Sequence, residues 1–173
     1  MIKNYRMKYL YLISFFLISA FVFSQNHSRY NHKPKYIGIE TEKIDEVMTA
    51  QDNTYWCWAA SVQIILNYYG VDIDQEDIVL KLFGKNEYEE LPDTPADMKT
   101  IHKTLNYIGK DNSGAVYKVE SKLGKGAPTA AILIEQLAKK RPVLVGYLTP
   151  AGGHIVVVTA VSYIETTRGP KIA

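Results

Sequence analysis

The chain of 173 residues is long enough for one domain with a hydrophobic core, and 20 basic against 18 acidic residues leave a net charge of +2. A charge this small does not favour nucleic acid or an anionic membrane surface as the partner. The apolar fraction of 47% and the thirteen tyrosines are typical of a packed globular domain rather than a disordered chain.

The first 24 residues have the pattern of a secretory signal peptide. Basic side chains precede an apolar run at 9–23, and small residues near position 24 fit a cleavage site. The run is shorter than the roughly twenty residues that span a bilayer, which makes an uncleaved anchor the less favoured alternative. We therefore predict an exported protein, secreted or periplasmic, with no stable membrane association after cleavage.

We divide the rest of the chain into a mobile arm at 25–35 and one folded domain at 36–173. The arm is polar and contains His27, His32 and Pro34. We interpret the two histidines as solvated residues rather than as metal ligands, and we predict no metal or organic cofactor.

The segment at 51–70 is predicted to form the helix around which the domain is organised. Asp52, Asn53 and Thr54 offer side-chain oxygens for an N-cap, and Gly70 supplies a stop. Between these ends, apolar residues recur at spacings of three and four, with more on the neighbouring face. This pattern predicts a mostly buried helix.

Cys57, the only cysteine of the chain, stands near the start of this helix. A helix N-terminus carries unpaired N–H groups and a partial positive charge, which favour the thiolate, the nucleophilic form of cysteine. The alternative is a small core residue, because free cysteines are often buried. Cysteines of exported proteins normally pair, so a single one favours a reactive thiol or an intermolecular bond.

Three further helices are predicted. Asp74 caps a helix that ends before Gly84, Pro95 opens a helix that extends to Gly109, and a fourth helix covers 129–140.

Strands are predicted at 115–120, 142–148 and 154–162. The run at 155–158 is apolar on both faces, which predicts a strand in the middle of a sheet rather than at its edge. Helices followed mainly by strands predict an α+β fold, with a helical lobe, an antiparallel β lobe and a cleft between them.

His154 is the candidate base for Cys57. A thiol needs a base to stay ionised at neutral pH, and histidine usually supplies it. His154 begins the buried strand and follows Gly152 and Gly153, where missing side chains let a substrate backbone come close. The alternative is a hydrogen-bonded histidine at a hairpin end; the glycines and the exported lone cysteine favour catalysis.

Gln51 lies six residues before Cys57. Its side-chain amide, beside the backbone N–H of Cys57, is suited to hold the oxyanion of a tetrahedral intermediate. Most glutamines are surface residues, so the spacing to Cys57 supports this role more than the residue type does.

These residues resemble the papain-like cysteine proteases. The resemblance covers about residues 51–163 and is carried by Gln51, the sequence WCWAA around Cys57, and Gly153-His154 before a valine-rich strand. The WCWAA sequence and the short chain are similar to two bacterial branches, the effector cysteine proteases of plant pathogens and the bacteriocin-leader peptidases. The resemblance implies a papain-like fold, Cys57 as nucleophile, His154 as general base and acid, and Gln51 as oxyanion-hole donor.

One position departs from the family pattern. The family places an asparagine or aspartate on a strand after the histidine to orient the imidazole, whereas no Asp or Asn follows His154 here. Glu165, in a predicted hairpin turn, is a less favoured substitute. We expect that one or more C-terminal strands carrying the third residue are missing, with a strand beginning at Lys171. A Cys–His dyad and an inactive family member are the alternatives.

The predicted activity is hydrolysis of a protein or peptide substrate by a monomeric cysteine peptidase. The predicted walls of the substrate cleft are Tyr55, Trp56, Gly152 and Gly153. Two alternatives are an inactive module that binds a peptide or protein in the same cleft, and an acyl or amide transferase with the same Cys–His chemistry.

Overall fold

A computed structural model describes residues 33–150 and 152–173 of the chain. The predicted signal peptide and the part of the predicted arm before residue 33 lie outside the described residues. The elements, in chain order, are β1 (Lys35–Gly38), α1 (Thr41–Asp45), α2 (Cys57–Tyr68), α3 (Gln75–Phe83), α4 (Met98–Thr104), β2 (Tyr107–Lys110), β3 (Val116–Val119), α5 (Ala130–Ala138), β4 (Val143–Thr149), β5 (Gly152–Val158), β6 (Ala160–Thr166) and β7 (Gly169–Ile172). Within these ranges, no helix is long and apolar enough to cross a membrane.

The strands form three small antiparallel sheets in the described part. Strand β6 lies between β1 and β7, β2 pairs with β3, and β4 pairs with β5. Helices and antiparallel sheets together confirm the predicted α+β class. Because β1 pairs with β6, the beginning of the described chain is joined to the strand-rich part near its end.

Two hydrophobic clusters fill the interior. The first cluster joins α2, α3 and α4 through residues such as Trp58, Ile78 and Ile101. The second cluster lies where α1, α5 and β6 meet, and it includes Ile44 and Leu137. Helix α5 therefore packs on the sheet of β1, β6 and β7, whereas α2 packs against strand β5 as well as against α3 and α4.

Strand β5 corrects the predicted mid-sheet position of residues 155–158. In the described part, β5 pairs with β4 alone, and after Thr159 the chain enters β6, which belongs to a different sheet. The run is apolar along its length because it serves both clusters: Ile155 packs against the first and Val158 against the second.

Helix α2 has the predicted apolar pattern but not the predicted cap. Eight of its residues are buried, which confirms a mostly buried helix. Gly70, with a φ of +79°, lies just beyond its end, in a conformation that glycine adopts without strain. The helix begins at Cys57, after Trp56 as the N-cap residue. The predicted caps at 52–54 are wrong because these residues form the turn that precedes the helix.

Helix α4 is shorter than predicted at both ends. Asp97 is its N-cap, and the carboxylate accepts a hydrogen bond from the Thr100 backbone N–H at 2.7 Å, so Pro95 lies before the helix. The end of the predicted helix, up to Gly109, belongs instead to strand β2, which pairs with β3. The helical spacing of apolar residues in this segment does not reveal that it pairs with a second strand.

Glu165 lies within β6 and not in the predicted hairpin turn. It stands opposite Pro170 of β7, and the turn is formed by residues 167–168. Its carboxylate makes an ion pair of 3.4 Å with Lys35. The predicted strand at Lys171 is part of β7.

Candidate active site

A cavity of about 570 Å³ is lined by Gln51, Cys57 and His154. Gln51 precedes the turn before α2, Cys57 is the first residue of α2, and His154 is the third residue of β5. Much of the remaining wall is apolar, with contributions from Ile39, Ile44, Met48, Ala60, Ile64 and Val157. The fold therefore brings the imidazole of a strand near the end of the chain to the same space as the thiol and the carboxamide of the segment at 51–57.

Cys57 is half-buried and its thiol is free. The N-cap residue, Trp56, makes no side-chain hydrogen bond to the start of α2. The first-turn N–H groups of a helix have no partner within the helix, and they carry its partial positive charge. Cys57 thus stands where this charge favours a negative sulfur or a negative substrate oxygen.

A short segment at 92–94 holds the start of α2. The indole N–H groups of Trp56 and Trp58 donate to the carbonyls of residues 92 and 94, each at 3.1 Å. Between them, the backbone N–H of Tyr55 donates to a carboxylate oxygen of Asp93 at 2.8 Å. These three bonds fix the chain on both sides of the candidate nucleophile, which gives it a rigid mount.

Among the four predicted substrate-binding residues, Trp56 is the one whose side chain lies in the core. Its side chain is only 2% exposed and belongs to the first hydrophobic cluster, because its ring packs in the core while its N–H reaches a carbonyl. Tyr55, Gly152 and Gly153 are exposed, and a Cβ added at either glycine meets nothing within 4 Å. These three do not belong to the described wall of the cavity, and their role stays a prediction.

His154 lies directly opposite Tyr147 of β4. The ring centroids are 5.7 Å apart and the planes meet at 84°, an edge-to-face contact. Such contacts contribute about 0.5–1.5 kcal/mol and restrict the orientation of both rings. Tyr147 was not singled out from the sequence, because its position opposite His154 depends on the register of the β4–β5 pair.

The Gln51 carboxamide is bonded within its own turn. Its Nε2 donates to the carbonyls of Asn53 and Thr54, each at 2.8 Å. A primary amide has two N–H donors, so both are occupied here. A hydrogen bond from Gln51 to a substrate oxyanion therefore requires one of these two bonds to be exchanged, and the oxyanion role stays a prediction.

Charged side chains are sparse around the cavity. Among the described residues of its wall, Asp45 at the end of α1 supplies the one carboxylate. Within the described ranges, no three His, Cys, Asp or Glu side chains are grouped as metal ligands would be. The reactive groups that the wall offers are the thiol of Cys57 and the imidazole of His154.

A thiol at a helix start and an imidazole on an antiparallel strand, facing one cavity, are the groups with which cysteine peptidases act. The chain belongs to the Peptidase C39-like family, whose model matches residues 43–168 and so includes Gln51, Cys57 and His154. Comparisons with the curated proteins and with the solved structures give no match. Membership confirms the coarser prediction of a cysteine peptidase type of family, while the two bacterial branches stay predictions.

Proposed function

We propose that the chain is an exported, papain-like cysteine peptidase in which Cys57 is the nucleophile, His154 the general base and acid, and Gln51 an oxyanion-hole donor. The observation that supports this most is that Gln51, Cys57 and His154 line one cavity, although His154 lies about a hundred residues after the other two in the chain. Membership of a cysteine peptidase type of family supports the class of reaction.

In the acylation step, His154 takes the thiol proton and the sulfur of Cys57 attacks the carbonyl carbon of a peptide bond. A C–S bond forms and the carbonyl oxygen becomes an oxyanion, which the first-turn N–H groups of α2 stabilise. The Gln51 amide adds a hydrogen bond by exchanging one of its two bonds to the following turn. The intermediate then collapses: the C–N bond breaks, and the leaving amine takes the proton from His154.

In the deacylation step, His154 removes a proton from water, and the resulting nucleophile attacks the thioester carbonyl. The C–S bond breaks, the substrate leaves as a carboxylic acid, and the sulfur recovers its proton from His154. The same imidazole acts first as base and then as acid in each of the two steps. Its orientation therefore affects the rates of both acylation and deacylation.

Alkylation of Cys57 with iodoacetamide tests whether the thiol is activated. We expect the wild type at mildly acidic pH to react faster than free glutathione, and His154→Ala to react more slowly than the wild type. His102→Ala is the matched control, because His102 lies on α4 and does not line the cavity. A wild type that reacts no faster than glutathione contradicts an activated nucleophile.

Digestion of fluorescein-labelled casein tests the reaction itself. We expect the wild type to release labelled peptides and Cys57→Ala to release none above background. Equal turnover by both proteins rules out catalysis by this thiol.

A second candidate is a binding module without turnover, and the bonding of both Gln51 N–H groups to carbonyls of the preceding turn favours it. Calorimetric titration with unlabelled casein peptides distinguishes the two. A binding module binds these peptides without cleaving them, and Cys57→Ala leaves its affinity unchanged.

A further inference from the structure

Gln75, the first residue of α3, has an unusual position for a primary amide. It is only 1% exposed, among the most buried side chains of the described part. Burying a carboxamide without hydrogen-bond partners costs free energy. The hydrogen bonds that Gln75 makes therefore account for its presence in the core.

The Gln75 carboxamide bonds to the backbone on both sides of Gln51. Its Oε1 accepts from the Asp52 N–H at 3.0 Å, and its Nε2 donates to the Ala50 carbonyl at 2.8 Å. The second N–H of Nε2 donates to Oε1 of Gln63 on α2 at 3.2 Å. Both N–H donors of the amide are thus used and its oxygen accepts one bond, and the two shorter bonds hold the residues next to Gln51.

We propose that Gln75 is a positioning residue for the oxyanion hole: it fixes the backbone at Gln51, so that the Gln51 amide reaches the oxyanion once it exchanges one of its two bonds to Asn53 and Thr54. This inference rests on the proposed function, in which Gln51 is an oxyanion-hole donor. Gln75 itself does not line the cavity. Its effect is transmitted through the chain, because a side chain whose two neighbouring peptide groups are bonded to a buried amide has little freedom at its Cα.

This role predicts a specific kinetic signature. Loss of one oxyanion-hole donor typically lowers kcat by about a hundredfold or more, and displacement of a donor by about 1 Å has effects approaching that size. Alkylation by iodoacetamide, in contrast, is displacement at a saturated carbon and forms no oxyanion. A variant that disturbs only the oxyanion hole therefore loses kcat for peptide hydrolysis but keeps its alkylation rate at Cys57.

The main variant is Gln75→Met, which keeps the length of the side chain and removes all three hydrogen bonds. Gln63→Met is the matched control, because it removes the bond between the two glutamines and leaves both bonds around Gln51. Gln75→Glu is a second variant in case Gln75→Met does not fold, since it keeps the volume and the acceptor for the Asp52 N–H but loses the donor to Ala50. Circular dichroism and thermal unfolding identify the folded variants.

Two rates are measured for each variant: hydrolysis of a peptide that the wild type cleaves, and iodoacetamide labelling of Cys57. We expect Gln75→Met, or Gln75→Glu in its place, to lower kcat about tenfold or more with KM and the alkylation rate within about twofold of the wild type. Gln63→Met should stay within about twofold on every measure. In a Gln51→Ala background, Gln75→Met should have little further effect on kcat, because the group it positions is gone.

Three results overturn the inference while leaving the proposed function intact. The first is a folded Gln75 variant with the kcat of the wild type, and the second is an alkylation rate that falls in parallel with kcat. The third is a double variant, Gln51→Ala with Gln75→Met, in which the two losses of kcat multiply. If neither Gln75 variant folds, Gln75 is a core residue and the inference is also overturned. If the wild type shows no peptide hydrolysis, or shows hydrolysis that persists in Cys57→Ala, the proposed function and the inference are overturned together.

Discussion

The hydroxyl of Ser61 donates a hydrogen bond of 3.2 Å to the backbone carbonyl of Ile155. Ser61 lies one helical turn after Cys57 on the same face of α2, and Ile155 directly follows His154 on β5. This bond therefore joins the helix that carries the candidate nucleophile to the strand that carries the candidate base. Ser61 is buried, so water does not compete freely for its hydroxyl.

Ser61→Ala tests whether this bond aligns the two groups. Loss of a buried hydrogen bond should lower the free energy of unfolding by about 1 kcal/mol. If the bond also sets the position of β5 on α2, kcat/KM should fall several-fold, because small displacements of reacting groups are costly in rate. Urea unfolding and peptide hydrolysis measure the two effects.

Ser113→Ala is the matched control for Ser61→Ala, because the Ser113 hydroxyl bonds to Asp111 in a surface turn. We expect its kcat/KM to equal that of the wild type. A Ser61→Ala protein that is less stable but fully active contradicts the alignment and leaves only a structural role for the bond.

The contact of Tyr147 with His154 predicts that the aromatic ring, not the hydroxyl, supports activity. Tyr147→Phe keeps the ring and should retain kcat/KM within about twofold. Tyr147→Ala removes the edge-to-face contact, and we expect a loss of about twofold to tenfold, which corresponds to the usual energy of such a contact. Equal kcat/KM for Tyr147→Ala and the wild type shows that the imidazole is oriented by other means.

Trp58→Phe should destabilise the helix start. The change removes the indole donor of Trp58, a side chain that is 1% exposed, and leaves the half-buried carbonyl of residue 94 without this partner. It also removes volume from a ring that packs edge-to-face on Phe83 at 5.8 Å. An unsatisfied buried group costs about 1–3 kcal/mol, and the cavity adds to this. Urea unfolding of Trp58→Phe measures this loss of stability, with Tyr55→Phe, at an exposed position, as the control. Similar free energies of unfolding for the two variants contradict the prediction.

Asp97 predicts a loss of stability in acid. Its hydrogen bonds with the backbone N–H and side chain of Thr100 hold the pKa of the Asp97 carboxyl below its ordinary value. A carboxyl with a lowered folded-state pKa stabilises the fold above the unfolded pKa of about 3.9, and this contribution is lost as the pH falls through the folded-state pKa.

Asp97→Asn is the matched control for this titration, because it still accepts the N–H bond but does not ionise. We expect the wild type to be the more stable protein at neutral pH and the difference to shrink as the pH falls below about 4. Thermal unfolding of both proteins across this pH range gives the measurement. A difference that stays constant with pH contradicts the assignment to Asp97.

Glu165→Gln should leave activity unchanged. Glu165 is paired with Lys35 on the sheet of β1 and β6, and both side chains are largely exposed. Pairs of this kind contribute about 0–1 kcal/mol to stability. We expect kcat/KM within about twofold of the wild type; a loss of a hundredfold or more identifies Glu165 as the residue that orients His154.

The local elements were largely predictable from the sequence, because their signals lie within a few residues of one another. The apolar spacing of α2 and its stop at Gly70 depend on neighbouring positions, as does the helix that begins after Thr129, whose side chain accepts the Ile132 N–H. The helix ends were less accurate. The start of α2 at Cys57 depends on a turn held by residues 92–94, which no local pattern contains.

The sequence by itself determined that a lone thiol lies near the start of a buried helix and that an imidazole directly precedes an apolar run, because residue type and periodicity are properties of the chain. Only the tertiary structure decided that Cys57 and His154 line the same cavity, that Trp56 belongs to the core rather than to the substrate cleft, and that Gln75 holds the neighbours of Gln51. Each of these relationships joins residues that are distant in sequence. They arise from the packing of α2 against β5 and α3, which spacing along a single chain does not encode.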